Sequence, residues 1–219
     1  MIAQSKKDNL LVVGLGGSVA PHSTSLAALE IALEGAKDAG ARTELLNLRE
    51  LALPMYDPAN PAAPESARRM VQLIGEADGL IWSSPLYHGT ISGAFKNALD
   101  WLQLLSDHKP PYLTDKIVGL ISTAGGVQGL QAVNTMEFVV RALRGWAVPL
   151  VLPIAQAWKA FDEDGKASDP KLAEQLKALG HEVARASCQF ALKPPTRPDA
   201  AAAEKAVLPA SEAEAKKTA

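Results

Sequence analysis

Apolar positions along this 219-residue chain follow two alternating rhythms. Leu10 to Leu15 is a continuous apolar run, the pattern of a strand buried on both faces. From Ser23 to Ala39, Leu26, Leu29, Leu33 and Ala36 recur at spacings of three and four, which predicts a helix, and Gly40 supplies its stop. The same order then repeats. Arg42 to Leu48, Gly79 to Ser84, Lys116 to Thr123 and Val148 to Ile154 are the further strands. Pro64 to Glu76, Ile91 to Leu105, Gln128 to Arg144 and Pro170 to about Leu192 are the further helices. Leu172, Leu176, Leu179, Val183, Ala186 and Phe190 form the buried stripe of the last one.

Strands that alternate with helices pair in parallel through right-handed crossovers, so the sheet is covered on both faces. Five such units suit an α/β three-layer sandwich of flavodoxin-like type, a five-stranded parallel sheet in the order 2-1-3-4-5. Ligands bind outside the carboxyl ends of such strands, where the order reverses between the first and the third. The loops after Leu15, Ser84 and Thr123 are therefore the candidate site. Residues 1–192 are expected to form one domain, with 193–219, rich in proline and alanine, as a disordered tail.

Composition narrows the function classes. With 47% apolar and 21% charged residues the chain can bury a sizeable core and stay soluble. A net charge of −2 gives no general attraction to nucleic acid or to an acidic membrane. The single cysteine, Cys188, excludes an internal disulfide and a cysteine-cluster metal site. No apolar run approaches the roughly 20 residues that span a bilayer, and Met1 to Asn9 is polar, so a cytoplasmic location is expected. His22, His88, His108 and His181 have no metal-ligand spacing.

The first loop, Gly14 to Ser25, leaves a strand and enters a helix. Its glycines allow a tight turn, its free N–H groups attract anions, and Ser18, Ser23, Thr24 and Ser25 add hydroxyls. A phosphate monoester suits that donor set; a plain turn with Ser23 as N-cap is the competing reading. The dinucleotide motif would need glycine at Val19, and there is no Gly-Lys-Ser/Thr run for a P-loop. In the second loop Pro85 fixes one torsion, Gly89 permits close approach, and Tyr87 and His88 offer planar faces. In the third, Gly125 and Gly126 either make a flexible turn or present N–H groups to developing charge.

The stretch Ser84 to Trp101 closely resembles the signature of the NADPH-dependent FMN reductase family, which is flavodoxin-like and includes flavin, quinone, azo-dye and chromate reductases. Gly17, Ser18, Ser23 and Thr24 resemble that family's phosphate loop, and Ser122 to Gly129 its third flavin loop. The resemblance implies FMN as cofactor and NADPH or NADH as electron donor. It implies that Ser18, His22, Ser23, Thr24 and Ser25 surround the FMN phosphate. Pro85, Leu86, Tyr87, His88 and Gly89 would line the isoalloxazine ring, and Ser122, Thr123, Ala124, Gly125 and Gly126 would flank its other side. Lys96, Asn97, Asp100 and Trp101 are signature positions with an expected structural role. The family often carries an arginine two residues after the loop's first serine; here that residue is Ala20, so a guanidinium partner for the phosphate is missing from the loop.

The function expected from these features is an NAD(P)H-dependent FMN reductase, with hydride carried at flavin N5 to a small acceptor such as a flavin, quinone, azo compound or metal oxyanion. No catalytic side chain is required. The alternative is a non-enzymatic FMN electron carrier of flavodoxin type. A hydrolase using Ser83 or Ser84 lacks the G-x-S-x-G elbow. In the fourth helix Leu130, Val133, Met136, Val140 and Leu143 are expected to face inward, with Phe138 opposite and Val139 beside it. That outward pair, with the family's habit of assembly, makes a homodimer or homotetramer the expected form.

Overall fold

A computed structural model describes residues 10–59 and 62–191. The expected tail at 193–219 and the polar start at Met1 to Asn9 lie outside the described residues. Five long strands form a parallel sheet: β1 (Leu11–Gly16), β2 (Arg42–Asn47), β3 (Gly79–Tyr87), β5 (Ile117–Thr123) and β6 (Trp146–Ile154). Their order is β2-β1-β3-β5-β6, which is the expected 2-1-3-4-5 when counted over the long strands. The two-residue strand β4 (Thr90–Ile91) pairs antiparallel with the end of β3.

Alternation along each strand splits the core in two. Val13, Leu80, Trp82 and Leu120 face one layer, made by α3 (Glu65–Glu76), α4 (Gly93–Asp100), the 3-10 turn Trp101–Leu105 and α5 (Gly129–Ala142). Val12, Ile81 and Ile121 face the other, made by α1 (Thr24–Asp38) and α7 (Pro170–Ala191). Two short helices, α2 (Leu48–Leu51) and α6 (Ala157–Ala160), follow β2 and β6. A single helical turn gains too little hydrogen bonding to outweigh its nucleation cost alone, which is why hydrophobic periodicity gave no sign of them.

Three expectations change. The strand expected to stop at Ser84 runs on to Tyr87, so Pro85 to Tyr87 belong to β3 rather than to a loop. The helix expected from Ile91 begins at Gly93 with Ser92 as its cap, because Thr90 and Ile91 are spent on β4. Leu130, expected inside, is 49% exposed at the first turn of α5, while Val139 packs partly against the core and Phe138 stands out at 69% exposure.

The α1–α7 pair seals one face through a backbone-close crossing. A Cβ at Gly180 would lie 1.9 Å from the Ala32 carbonyl oxygen and 2.6 Å from the Ala36 nitrogen. Neither neighbour is a flexible side chain, so the helices themselves must separate to admit a methyl group. Gly180→Ala is therefore expected to destabilise the protein by about 2 kcal/mol or more. Urea unfolding checks this: the midpoint should fall with the slope unchanged.

Candidate functional site

The carboxyl ends of β1, β3 and β5 lie side by side, with Gly16 in register with Ser83 and Pro85 with Thr123. Ser83 is the fastening between the first two. Its carbonyl accepts from Gly17 N at 3.2 Å and its hydroxyl donates to the Ser25 carbonyl at 2.7 Å. A Cβ at Gly16 would stand 2.2 Å from that Ser83 carbonyl oxygen, so glycine is needed for the strands to meet there. Ser84 is equally occupied: its Oγ donates to the Pro85 carbonyl at 3.0 Å and accepts from Ser92 N at 3.1 Å. Both serines are fully buried structural groups, which removes the hydrolase reading on geometry as well as on motif.

At the first loop the expected hydroxyls do several things. Ser23 caps α1, accepting from Leu26 N at 3.2 Å, and its Oγ shares a 3.0 Å hydrogen bond with Ser25 Oγ. Ser18 is buried and its Oγ accepts from Ala20 N at 3.2 Å. Thr24 is half-buried and His22 exposed. The first-turn N–H groups of Thr24 and Ser25 have no intrahelical acceptor, the usual condition at a helix start, so an anion placed there finds both donors and the positive end of the helix dipole. Farther along α1, the Glu30 carboxyl is held above the usual carboxylate range by burial, then by the Glu34 and Glu50 carboxylates.

The second wall is a hairpin. Tyr87 pairs with Thr90, and the two residues between, His88 and Gly89, have φ of 50° and 87°. Two positive φ values in a two-residue connection are what the strand twist favours, and histidine is among the few side chains enriched there. Pro85 is buried, Leu86 half-buried, and Tyr87 is 51% exposed at the tip. The hairpin leans on α5, with Thr90 Oγ1 3.1 Å from Thr135 Oγ1.

The third wall divides. Ser122 is fully buried and its hydroxyl donates to the Gly129 carbonyl at 2.6 Å, so its side chain ties β5 to α5. Thr123 is 3% exposed, and its Oγ1 has no hydrogen-bond partner among the described residues. Ala124 is buried and held from both sides, donating to the Ile154 carbonyl at 2.9 Å and accepting from Ala157 N at 3.0 Å. Gly125 and Gly126 are exposed, and Gly125 faces open space. Among the described residues no group of three or more His, Cys, Asp or Glu could hold a metal ion.

The signature positions beyond the hairpin act as a clamp. Asn97 Oδ1 accepts from Tyr56 N at 2.8 Å, and its Nδ2 donates to the Pro54 carbonyl at 2.9 Å. Trp101 Nε1 donates to the same carbonyl at 3.0 Å. Lys96 and Asp100 form an exposed ion pair at 2.5 Å. One residue that local pattern could not reveal joins the first loop: Arg49, on α2, donates from Nη1 to the Val19 carbonyl at 2.7 Å.

A loop of anion donors, a flat-sided hairpin and a glycine loop thus converge at the point where strand order reverses. Residues 10–159 match the family described as NADPH-dependent FMN reductase. The chain belongs to this family. It is 32% identical over 127 residues to the NADPH-dependent FMN reductase ArsH of Acidithiobacillus ferrooxidans, which covers 58% of this chain and 52% of that protein. It is 32% identical over 161 residues to the FMN-dependent NADPH-azoreductase of Staphylococcus aureus, covering 71% of this chain and 81% of the relative. The chain thus spans about half the length of the first relative and most of the second. Among solved structures, RosB with a bound riboflavin-phosphate intermediate superposes with a TM-score of 0.73 at 15% identity, over 90% of this chain and 86% of that one. At that identity the likeness speaks for the fold.

The clamp is testable. Asn97→Ala leaves the Tyr56 N–H without its acceptor in a part-buried setting, and a lost hydrogen bond of this kind costs about 1 kcal/mol. We expect the melting temperature to fall, with Asn97→Asp falling less because it keeps the acceptor for Tyr56.

Proposed function

We propose that this chain is an NAD(P)H-dependent FMN reductase that passes electrons from NADPH or NADH to a small-molecule acceptor. The family match over residues 10–159 carries this reading. The donor set supports the cofactor. First-turn N–H groups of α1 suit a phosphate monoester, and the buried, unpartnered Thr123 Oγ1 is the kind of group a bound ligand satisfies.

FMN, when bound, supplies the two-electron chemistry, taking and giving hydride. The chain's own residues bind and orient. Ser18 and His22 to Ser25 would surround the phosphate. Pro85 to Gly89 would line the ring on one side, largely through backbone, and Thr123 to Gly126 would flank it on the other, with Ser122 supporting from beneath. Gly125 and Gly126 N–H groups would face the ring edge where negative charge develops. No side-chain nucleophile or base is needed, and Ser83 and Ser84 are committed elsewhere.

On this reading the reductase domain takes residues 1–192 and the proline- and alanine-rich 193–219 is a tail. The expected acceptor is a flavin, quinone, azo compound or metal oxyanion, and the expected location is the cytoplasm; among the described residues no helix is long and apolar enough to cross a membrane. A homodimer or homotetramer is supported by large apolar side chains left outside, Phe138 at 69% and Trp146 at 56% exposure.

The purified protein should be yellow or gain a flavin spectrum on addition of FMN. It should then oxidise NADPH or NADH when given a quinone or an azo dye. Bound flavin with no oxidation of either nucleotide under any acceptor would make the chain an electron carrier of flavodoxin type. A colourless protein indifferent to FMN would remove the cofactor assignment.

A further inference from the structure

We propose that Arg49 is the cationic partner of the flavin phosphate, delivered to the first loop from α2. This rests on the reading of that loop as the FMN phosphate cradle. The difficulty it resolves is one of charge. A phosphate monoester carries close to two negative charges at neutral pH. Gly17 to Ser25 contains no lysine or arginine, and His22 is its only ionisable side chain. Helix-start N–H groups contribute only about half a positive charge. A loop built for this ligand is therefore short of cation.

Arg49 stands where the shortfall is. It lies 30 residues away in sequence, yet its Nη1 donates to the carbonyl of Val19, inside the loop, at 2.7 Å. The placement is built rather than incidental. Asn47 caps α2, its Oδ1 accepting from Arg49 N at 3.0 Å and its Nδ2 donating to Glu50 Oε1 at 3.1 Å. That reciprocal cap fixes the backbone from which Arg49 projects, and it turns the Glu50 carboxylate to Asn47. Asn47 is also in register with Gly16, so the cap grows from the strand neighbouring the loop.

The guanidinium makes that one hydrogen bond among the described residues, which leaves further N–H donors of its fork for a ligand. It also lines a cavity of about 390 Å³ together with Val19, Leu53, Ala94 and Asn97. A phosphate at the start of α1 would then be held between the helix amides on one side and the guanidinium on the other. The loop stays free of bulky cations, and the charge arrives from the neighbouring strand.

Binding measured by flavin fluorescence, with no turnover involved, tests this. For the unaltered chain FMN should bind more tightly than riboflavin. Arg49→Ala should weaken FMN about 10- to 100-fold, the range of a charge-assisted hydrogen bond, and leave riboflavin within about 2-fold. Unchanged riboflavin binding and melting temperature report that the fold is intact. Arg49→Lys should fall between, since it keeps charge without the fork. Adding Ala20→Arg to Arg49→Ala should restore much of the FMN preference, because Ala20 is exposed in the same loop.

An Arg49→Ala variant that still prefers FMN as strongly as the unaltered chain would overturn the proposal. So would a variant whose FMN preference is intact but whose preference for NADPH over NADH is lost, which would assign Arg49 to the donor's phosphate. If the unaltered chain fails to discriminate FMN from riboflavin, the phosphate cradle itself falls, and this inference with it.

Discussion

Ser83 is the joint on which the site depends. It is fully buried midway along β3, in register with Gly16, the last residue of β1. Its carbonyl accepts from the Gly17 N–H and its hydroxyl donates to the Ser25 carbonyl, so one residue holds the first loop and the first turn of α1 to the third strand. Buried polar groups left unmade cost about 1–3 kcal/mol each, so these bonds hold the loop to one position. The glycine at position 16 is the same constraint seen from the other strand, since any Cβ there would push against the Ser83 carbonyl.

From that joint the rest of the site is layered outward. Ser84, one residue on, accepts the Ser92 N–H at its hydroxyl oxygen and so sets where α4 begins. Ser122 does the same for α5 through the Gly129 carbonyl. In each case a small buried hydroxyl residue on a strand fixes the start of a helix farther along the chain. This explains why Ser83, Ser84 and Ser122 are buried: their hydroxyls hold the walls together. Thr123 is the exception, a buried hydroxyl with no partner among the described residues at the same level of the sheet.

Much of this was legible in sequence, and the reasons for the misses are specific. Continuous apolar runs marked β1, β3 and β5, because burial on both faces leaves a strong signal, and three-to-four spacing marked the main helices. The strand order followed from chain connectivity and the handedness of crossovers. Resemblance, rather than periodicity, brought the three loops together around a flavin. The hairpin at His88 and Gly89 escaped because its turn uses histidine where asparagine or aspartate would advertise it, and two-residue β4 is too short to show a period. Leu130 was misplaced because helical phase alone does not say how far the packing extends, and at the first turn of α5 it leaves Leu130 49% exposed. Arg49 was invisible for a different reason. Its contact spans 30 residues, and nothing near it in sequence marks the loop it meets.

That last miss bears on how a phosphate site of this kind can be read. A cation within the loop travels with the motif, so its absence, as at Ala20, looks like a lost function. A cation supplied by the neighbouring strand depends instead on sheet register and on a local cap. Here the parallel pairing of Gly16 with Asn47 sets the distance, and the Asn47 cap sets the direction. A one-residue slip of β2 would send its side chains to the opposite face, and the guanidinium would leave the loop although no loop residue had changed. On the proposed reading the charge of the cradle is a property of the β1–β2 pair, and the loop sequence alone understates it.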